Sequence, residues 1–172
     1  LVFARNVIPH VANAKDVISG MANCLDQEGI GIIEFHRADI ILEELQYDSI
    51  YHEHLFYHSI NSLSKLLSIY NLYPFDINES PISGGSYVIY FSNKQFQRST
   101  RLCNAESKEI ESGINNYSTL EDFSKKAEIH RSKLVKIVKD IKATDKKIIG
   151  YGASARSSTL LNYCGFSTSE ID

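Results

Sequence analysis

Apolar and polar positions in the first forty residues predict strand, helix and strand. LVFARNVI (residues 1–8) is an apolar run that reads as a buried strand. Val11, Ala12 and Asn13 supply a turn with Asn13 as helix N-cap, and Val17, Ile18, Met21 and Leu25 then recur at helical spacing from Ala14 to Leu25. DQEG closes that helix with Gly29 at a C-cap-like position, and GIGIIEFH follows as a short apolar strand. Strand, helix, strand is the unit of a parallel sheet covered on its faces by helices.

Further on, ADIILEELQYD predicts a short helix, and Ile60, Leu63, Leu66, Leu67 and Tyr70 mark an amphipathic one. LYPFDINES and GSYVIYFSN read as two strands separated by the turn-rich joint PISGG. From Asn104 to Ala143 the chain is mostly helical and highly charged, with a break near GINNYS, which suits a link better than a seat of chemistry. KKIIGYG then predicts a strand entering a glycine turn, and ARSSTLLNYCG the helix after it. The fold class is α/β, without repeats or low-complexity tracts.

Composition narrows the function classes. A chain of 172 residues buries one good core or parts of two smaller ones. With 43% apolar and 23% charged residues, both signs mixed along the chain and a net charge of −3, the composition argues against a nucleic-acid or membrane-surface binder, which usually shows a basic face. No apolar run approaches the roughly 20 residues of a membrane span. Cys24, Cys103 and Cys164 are odd in number and lack CxxC spacing, so a reducing cytosol is expected and all three read as small buried hydrophobes. The chain opens on LVFAR without Met and stops at EID, and is expected to be a piece of a longer protein.

The densest polar stretch is QYDSIYHEHLFYHS, residues 46–59, with three of the six histidines. His52 and His54 share a side on a strand, and His54 and His58 share one on a helix. A zincin needs HExxH, but Phe56 stands where the second histidine would be. Acid–base work fits better: imidazole titrates nearest neutrality, Glu53 can set its tautomer, and Tyr51 can donate to a developing oxyanion. A polar cluster packed at a domain joint is the bland alternative.

Two glycine turns stand out as well. GYGASA, residues 150–155, follows an expected strand and precedes an expected helix, the setting of a dinucleotide fingerprint. Arg156, Ser154 and Ser157 would help its amides attract phosphate, while the acid expected about twenty residues on is Asp172 at best. A tight strand-to-helix turn without a ligand explains the same residues. SGGS, residues 83–86, allows a close backbone approach or a plain hairpin turn.

DSIYHEHLFYHS, SGGS and GYGASARSSTLLNYCG, in this order and spacing, resemble the nucleotide-sugar C-methyltransferases. These S-adenosylmethionine (SAM) enzymes make 3-C-methyl deoxysugars for antibiotics and bacterial polysaccharides. The resemblance covers essentially the whole chain, and RNVIPHVAN is similar to the family's segment after the fourth strand of the SAM-binding domain. It implies that residues 1–37 end a Rossmann-like SAM domain and that residues 38–100 form a linking region with the active-site motif. Residues 101–172 would then be a helical linker and the start of a second Rossmann-like domain. The family's zinc-binding cysteines and SAM-gripping glycine loop would lie upstream of Leu1, so no SAM-binding residue is assigned and the chain alone is expected to be inactive.

The resemblance also implies a mechanism. A base removes the acidified proton beside the ketone of a nucleotide-linked 4-keto deoxysugar, and the enolate carbon takes the methyl group of SAM. Carried over, His54 is the base, Glu53 orients it or shares its proton, Tyr51 lies near the enolate oxygen, and His10 assists positioning or proton transfer. Gly84, Gly85, Ser86, Gly150, Gly152 and Arg156 are the implied substrate contacts, and His52 has no implied role. The chain departs from the family pattern at Val88, where an arginine is frequent, at Arg156 in place of lysine, and at Ser157–Ser158 in place of Gly-Asn. A cytoplasmic enzyme with no nucleic-acid or membrane partner is expected. The alternatives are a nicotinamide-dependent oxidoreductase using GYGASA, and a non-catalytic nucleotide-sugar binding protein.

Overall fold

In chain order the elements are β1 (Val2–Arg5), α1 (Ala14–Cys24), β2 (Gly31–His36), α2 (Ala38–Glu43), α3 (Ile60–Ser68), β3 (Tyr73–Ser80), β4 (Ser86–Ser92), α4 (Thr100–Ser112), α5 (Tyr117–Lys142) and α6 (Ala155–Cys164). The computed structural model describes residues 1–171. They divide into two units, Leu1–Ile40 with Glu53–Asn115, and Ile41–His52 with the chain from Asn116 onward. The architecture is mixed α/β, one four-stranded sheet with helices.

The first unit holds the sheet, in the order β1-β2-β4-β3. The β1–β2 pair is parallel, as strand–helix–strand patterning requires, whereas β4 runs antiparallel to both β2 and β3. Register places Ile33 and Ile77 opposite Ile89, and Phe35 opposite Tyr87. Because side chains alternate along a strand, these residues share one face with Phe91. They form a core with Ile18 and Met21 of α1, Ile60, Leu63 and Leu67 of α3, and Leu102 of α4. The other face carries Glu34, which is only 4% exposed yet satisfied by Arg5 at 2.7 Å and by a hydrogen bond from Ser80 Oγ at 3.1 Å.

Three sequence expectations change here. LVFARNVI is not a buried strand: β1 is shorter and lies at the sheet edge, and Ala4 is its only buried residue. An edge strand has a neighbour on one side only, which leaves Phe3 exposed. Gly29 does not cap α1, which ends at Cys24 with Leu25 in extended geometry; the Gly29 amide instead closes a separate turn onto the Asp26 carbonyl at 2.8 Å. Asn13 does precede α1, but its side chain donates to Asp16 Oδ2 at 2.7 Å rather than accepting from the helix backbone.

The second unit consists of the second half of α2, a helical turn at Tyr47–Ser49, α5 and α6. Ile41, Tyr47, Ala127, Val138 and Cys164 are its buried apolar residues. KKIIGYG forms no strand here, and Ile149 and Tyr151 are exposed. A strand exists through ladder hydrogen bonds to a neighbouring strand, and the described sheet is made of β1, β2, β4 and β3 alone. The cysteines are also corrected, since only Cys164 is buried while Cys24 and Cys103 are exposed. Among the described residues no helix is long and apolar enough to cross a membrane.

Candidate active site

In the first unit the end of β1 leads into a helical turn, Ile8–His10, whose Ile8 and Pro9 are buried. Proline fixes its own backbone dihedral, and the Pro9 carbonyl accepts a hydrogen bond from the Leu55 amide at 2.7 Å. That bond draws the motif onto the turn. His10 and His54 meet edge to face with ring centroids 4.8 Å apart, and Tyr57 lies beside His54 at 5.8 Å. Two histidines that are 44 positions apart in sequence thus become neighbours, and Glu53 precedes the pair on the exposed side of the chain.

The far end of the motif is anchored just past β2. His58 bridges Arg37 in parallel fashion, and its carbonyl accepts from the Ala38 amide at 3.3 Å. The Arg37 amide in turn donates to the Gly85 carbonyl at 3.2 Å, so the SGGS turn is tied to the same point. Gly85 is required there: its φ is +128°, and a Cβ would stand 2.7 Å from Ile40 Cδ1. Ser86 is fully buried, and its hydroxyl donates to the Ile82 carbonyl at 3.0 Å. The Arg37 side chain forks onto Asp39 at 3.1 and 2.7 Å and lies 4.3 Å above the Tyr87 ring. Burial pushes the Tyr87 phenol up to about 12, so it stays a neutral hydroxyl.

His58 itself is buried beside Phe35 and Phe56. Its Nδ1 lies 3.4 Å from Ser62 Oγ, and burial lowers its pKa. Directly after it, Ser59 and Ser62 form a reciprocal capping box at the start of α3. Glu109 of α4, invisible to any local motif, adds a second grip. Its carboxylate is buried and accepts from the amides of Ile60 at 2.5 Å and Asn61 at 3.0 Å, and from Asn115 Nδ2 at 3.1 Å. Donors left unpaired at a helix start are satisfied in this way, and the negative charge suits the helix dipole.

Tyr51 and His52 belong to the second unit, with ring centroids 6.1 Å apart. In that unit Ser154 N-caps α6 by accepting from the Ser157 amide at 3.2 Å, directly after Gly150 and Gly152. Arg156 does not point freely toward the glycine turn: its Nε and Nη2 both reach Asp48, each at 2.9 Å. Tyr47 hydrogen-bonds His130 Nδ1 at 2.9 Å through its hydroxyl. Tyr163 donates to Glu128 at 2.7 Å, and its phenol is pushed up to about 12, first by desolvation and then by that carboxylate. Tyr47 stood out in the sequence only as part of the dense polar stretch and Tyr163 not at all, because both pairings join distant residues. Asp172, the acid paired with the glycine turn in the sequence reading, lies outside the described residues.

Among the described residues no group of three or more His, Cys, Asp or Glu is placed to hold a metal ion. Within the first unit the candidate residues are the His10–His54 pair, Glu53 and the SGGS turn; within the second they are Tyr51 and the glycine turn before α6. Residues 81–172 match the family model described as C-methyltransferase C-terminal domain, and the chain belongs to that family. It is similar to C-methyltransferase NovU of Streptomyces niveus, 30% identical over 173 residues, which cover 99% of this chain and 41% of that protein. The chain thus spans well under half the length of this curated relative.

Proposed function

We propose that the protein is a C-methyltransferase acting on the carbon beside the ketone of a nucleotide-linked 4-keto deoxysugar. The observation that supports this best is the His10–His54 contact in a chain of this family, with Glu53 directly before His54 in the sequence. His54 takes the proton from the carbon, and the C–H electrons pass into the enolate. Glu53 sets the orientation and proton of that imidazole, and His10 steadies its edge. Tyr51 donates a hydrogen bond to the enolate oxygen, where negative charge develops. S-adenosylmethionine would supply an electrophilic methyl group, whose bond to sulfur breaks as the new carbon–carbon bond forms.

The described side chains suit the sugar end of such a reaction, and none is assigned to the methyl donor. Gly84, Gly85 and Ser86 are the proposed sugar-nucleotide contacts of the first unit, and Gly150 and Gly152 those of the second. The test is the full-length protein with SAM and a 4-keto nucleotide sugar in heavy water, following methyl transfer and deuterium entry at the carbon. His54→Ala and Glu53→Ala are expected to slow both. Wild-type rates in both variants would refute the assignment.

A further inference from the structure

One face of α6 grips the stretch that leads into Tyr51. Arg156 forks onto Asp48 with two bonds of 2.9 Å, Thr159 Oγ1 donates to the Ile50 carbonyl at 3.5 Å, and Tyr163 packs edge-on against Tyr47 at 5.2 Å. Positions 156, 159 and 163 are three and four apart, the spacing of neighbours on a helix face. Tyr47 and Ser49 are buried in this contact region, and the Tyr47 hydroxyl is fixed in addition by His130. The segment is thus held at three successive points, and only the Arg156 contact is a charged fork. Guanidinium matches carboxylate with two parallel bonds in one plane, which sets direction as well as distance. A substrate phosphate would have to break both bonds to claim the same edge of Arg156.

We propose that Arg156 and Asp48 are positioning residues: they lock the Tyr47–Ile50 stretch, and through it Tyr51, to the helix that begins at the GYGAS turn. This rests on the methyltransferase reading for its kinetic part. Arg156 serves the substrate through Asp48 and not by direct contact, although its type and place beside a glycine turn invite the opposite assignment. The Ser154 cap and the Asp48 fork lie within two residues of each other on α6, so the start of the helix and the segment before Tyr51 share one rigid support.

The experiment compares Asp48→Asn, Arg156→Gln, Arg156→Lys and the double variant Asp48→Asn/Arg156→Gln in the full-length protein. Folding is verified by circular dichroism. Amide hydrogen exchange is read over residues 46–52, alongside kcat and KM for the nucleotide sugar. A lost positioning contact is expected to lower kcat about ten- to a hundredfold with KM little changed. The double variant should be no worse than the poorer single one, because the two residues act as one unit. Exchange over 46–52 should accelerate equally in Asp48→Asn and Arg156→Gln, and by less in Arg156→Lys, which keeps charge without the fork.

A tenfold rise in KM for Arg156→Gln with none for Asp48→Asn would assign Arg156 to direct substrate contact and overturn the proposal. Unchanged exchange in both single variants would overturn it too. If Arg156→Gln fails to fold, Arg156→Lys carries the same comparison. Should the wild type transfer no methyl group, the methyltransferase reading fails by itself, and the exchange data alone decide whether the pair locks the segment.

Discussion

His10 and His54 touch edge to face, with centroids 4.8 Å apart, because the Leu55 amide is hydrogen-bonded to the Pro9 carbonyl beside them. A general base contributes roughly 10²–10⁴-fold to a proton transfer. His54→Ala is expected to cost about that much in methyl transfer, and His10→Ala less. If the rings act together, the double variant should fall short of the product of the single effects, as residues in contact do. Steady-state rates of the four proteins decide this; full additivity would mean that the contact has no part in the reaction.

Glu109 answers two backbone amides at the start of α3 from another helix. Glu109→Ala strands those donors in a buried place, at a cost of about 2–3 kcal/mol. Glu109→Gln retains one acceptor oxygen and should cost less. Urea unfolding followed by helical circular dichroism measures both, and equal losses would contradict the proposed grip.

Burial holds His58 below its ordinary pKa, whereas the unfolded chain titrates it near about 6.5. Between these two values the unfolded state binds more protons than the folded one. The stability contribution is therefore present above about 6.5 and drains away as pH falls through the window, at no more than about 1.4 kcal/mol per pH unit. His58→Phe, set between Phe35 and Phe56, should flatten that part of the pH dependence. Urea midpoints at several pH values between neutral and mildly acid give the comparison.

Two glycines should respond in opposite directions to alanine. A Cβ at Gly31 would meet the Phe91 ring at 2.3 Å, inside the sheet. Overpacking of this kind costs about 1–3 kcal/mol. Gly20 sits exposed within α1 with nothing near its missing Cβ, so Gly20→Ala should stabilise by about 0.5–1 kcal/mol. Thermal melts of the two variants provide the check.

Periodicity revealed α1 and α3 because each buries one stripe, and the β3–β4 pair showed as two strand-like runs around a turn-rich joint; both signals are local information. It misjudged β1 and KKIIGYG for a shared reason: whether an apolar run is buried or paired depends on neighbours that the run does not encode. The histidines followed the same division. The motif from Tyr51 to His58 was plain in the sequence, while the contact of His54 with His10 was suggested only by family resemblance. The Glu109 grip and the Asp48–Arg156 fork had no local signature at all. Each joins residues dozens of positions apart, and charge at either end fits a solvated surface equally well.

The exposed apolar side chains of the KKIIGYG stretch have a practical consequence. Ile149 and Tyr151 are exposed on a stretch that forms no strand, and exposed apolar side chains on an extended segment favour association between copies. Lys146 and Lys147 stand directly before it, as charged gatekeepers do beside hydrophobic segments. Neutralising those two lysines should turn a tolerable liability into a sticky end, and the loss would show as clouding during storage well before any change in the sheet.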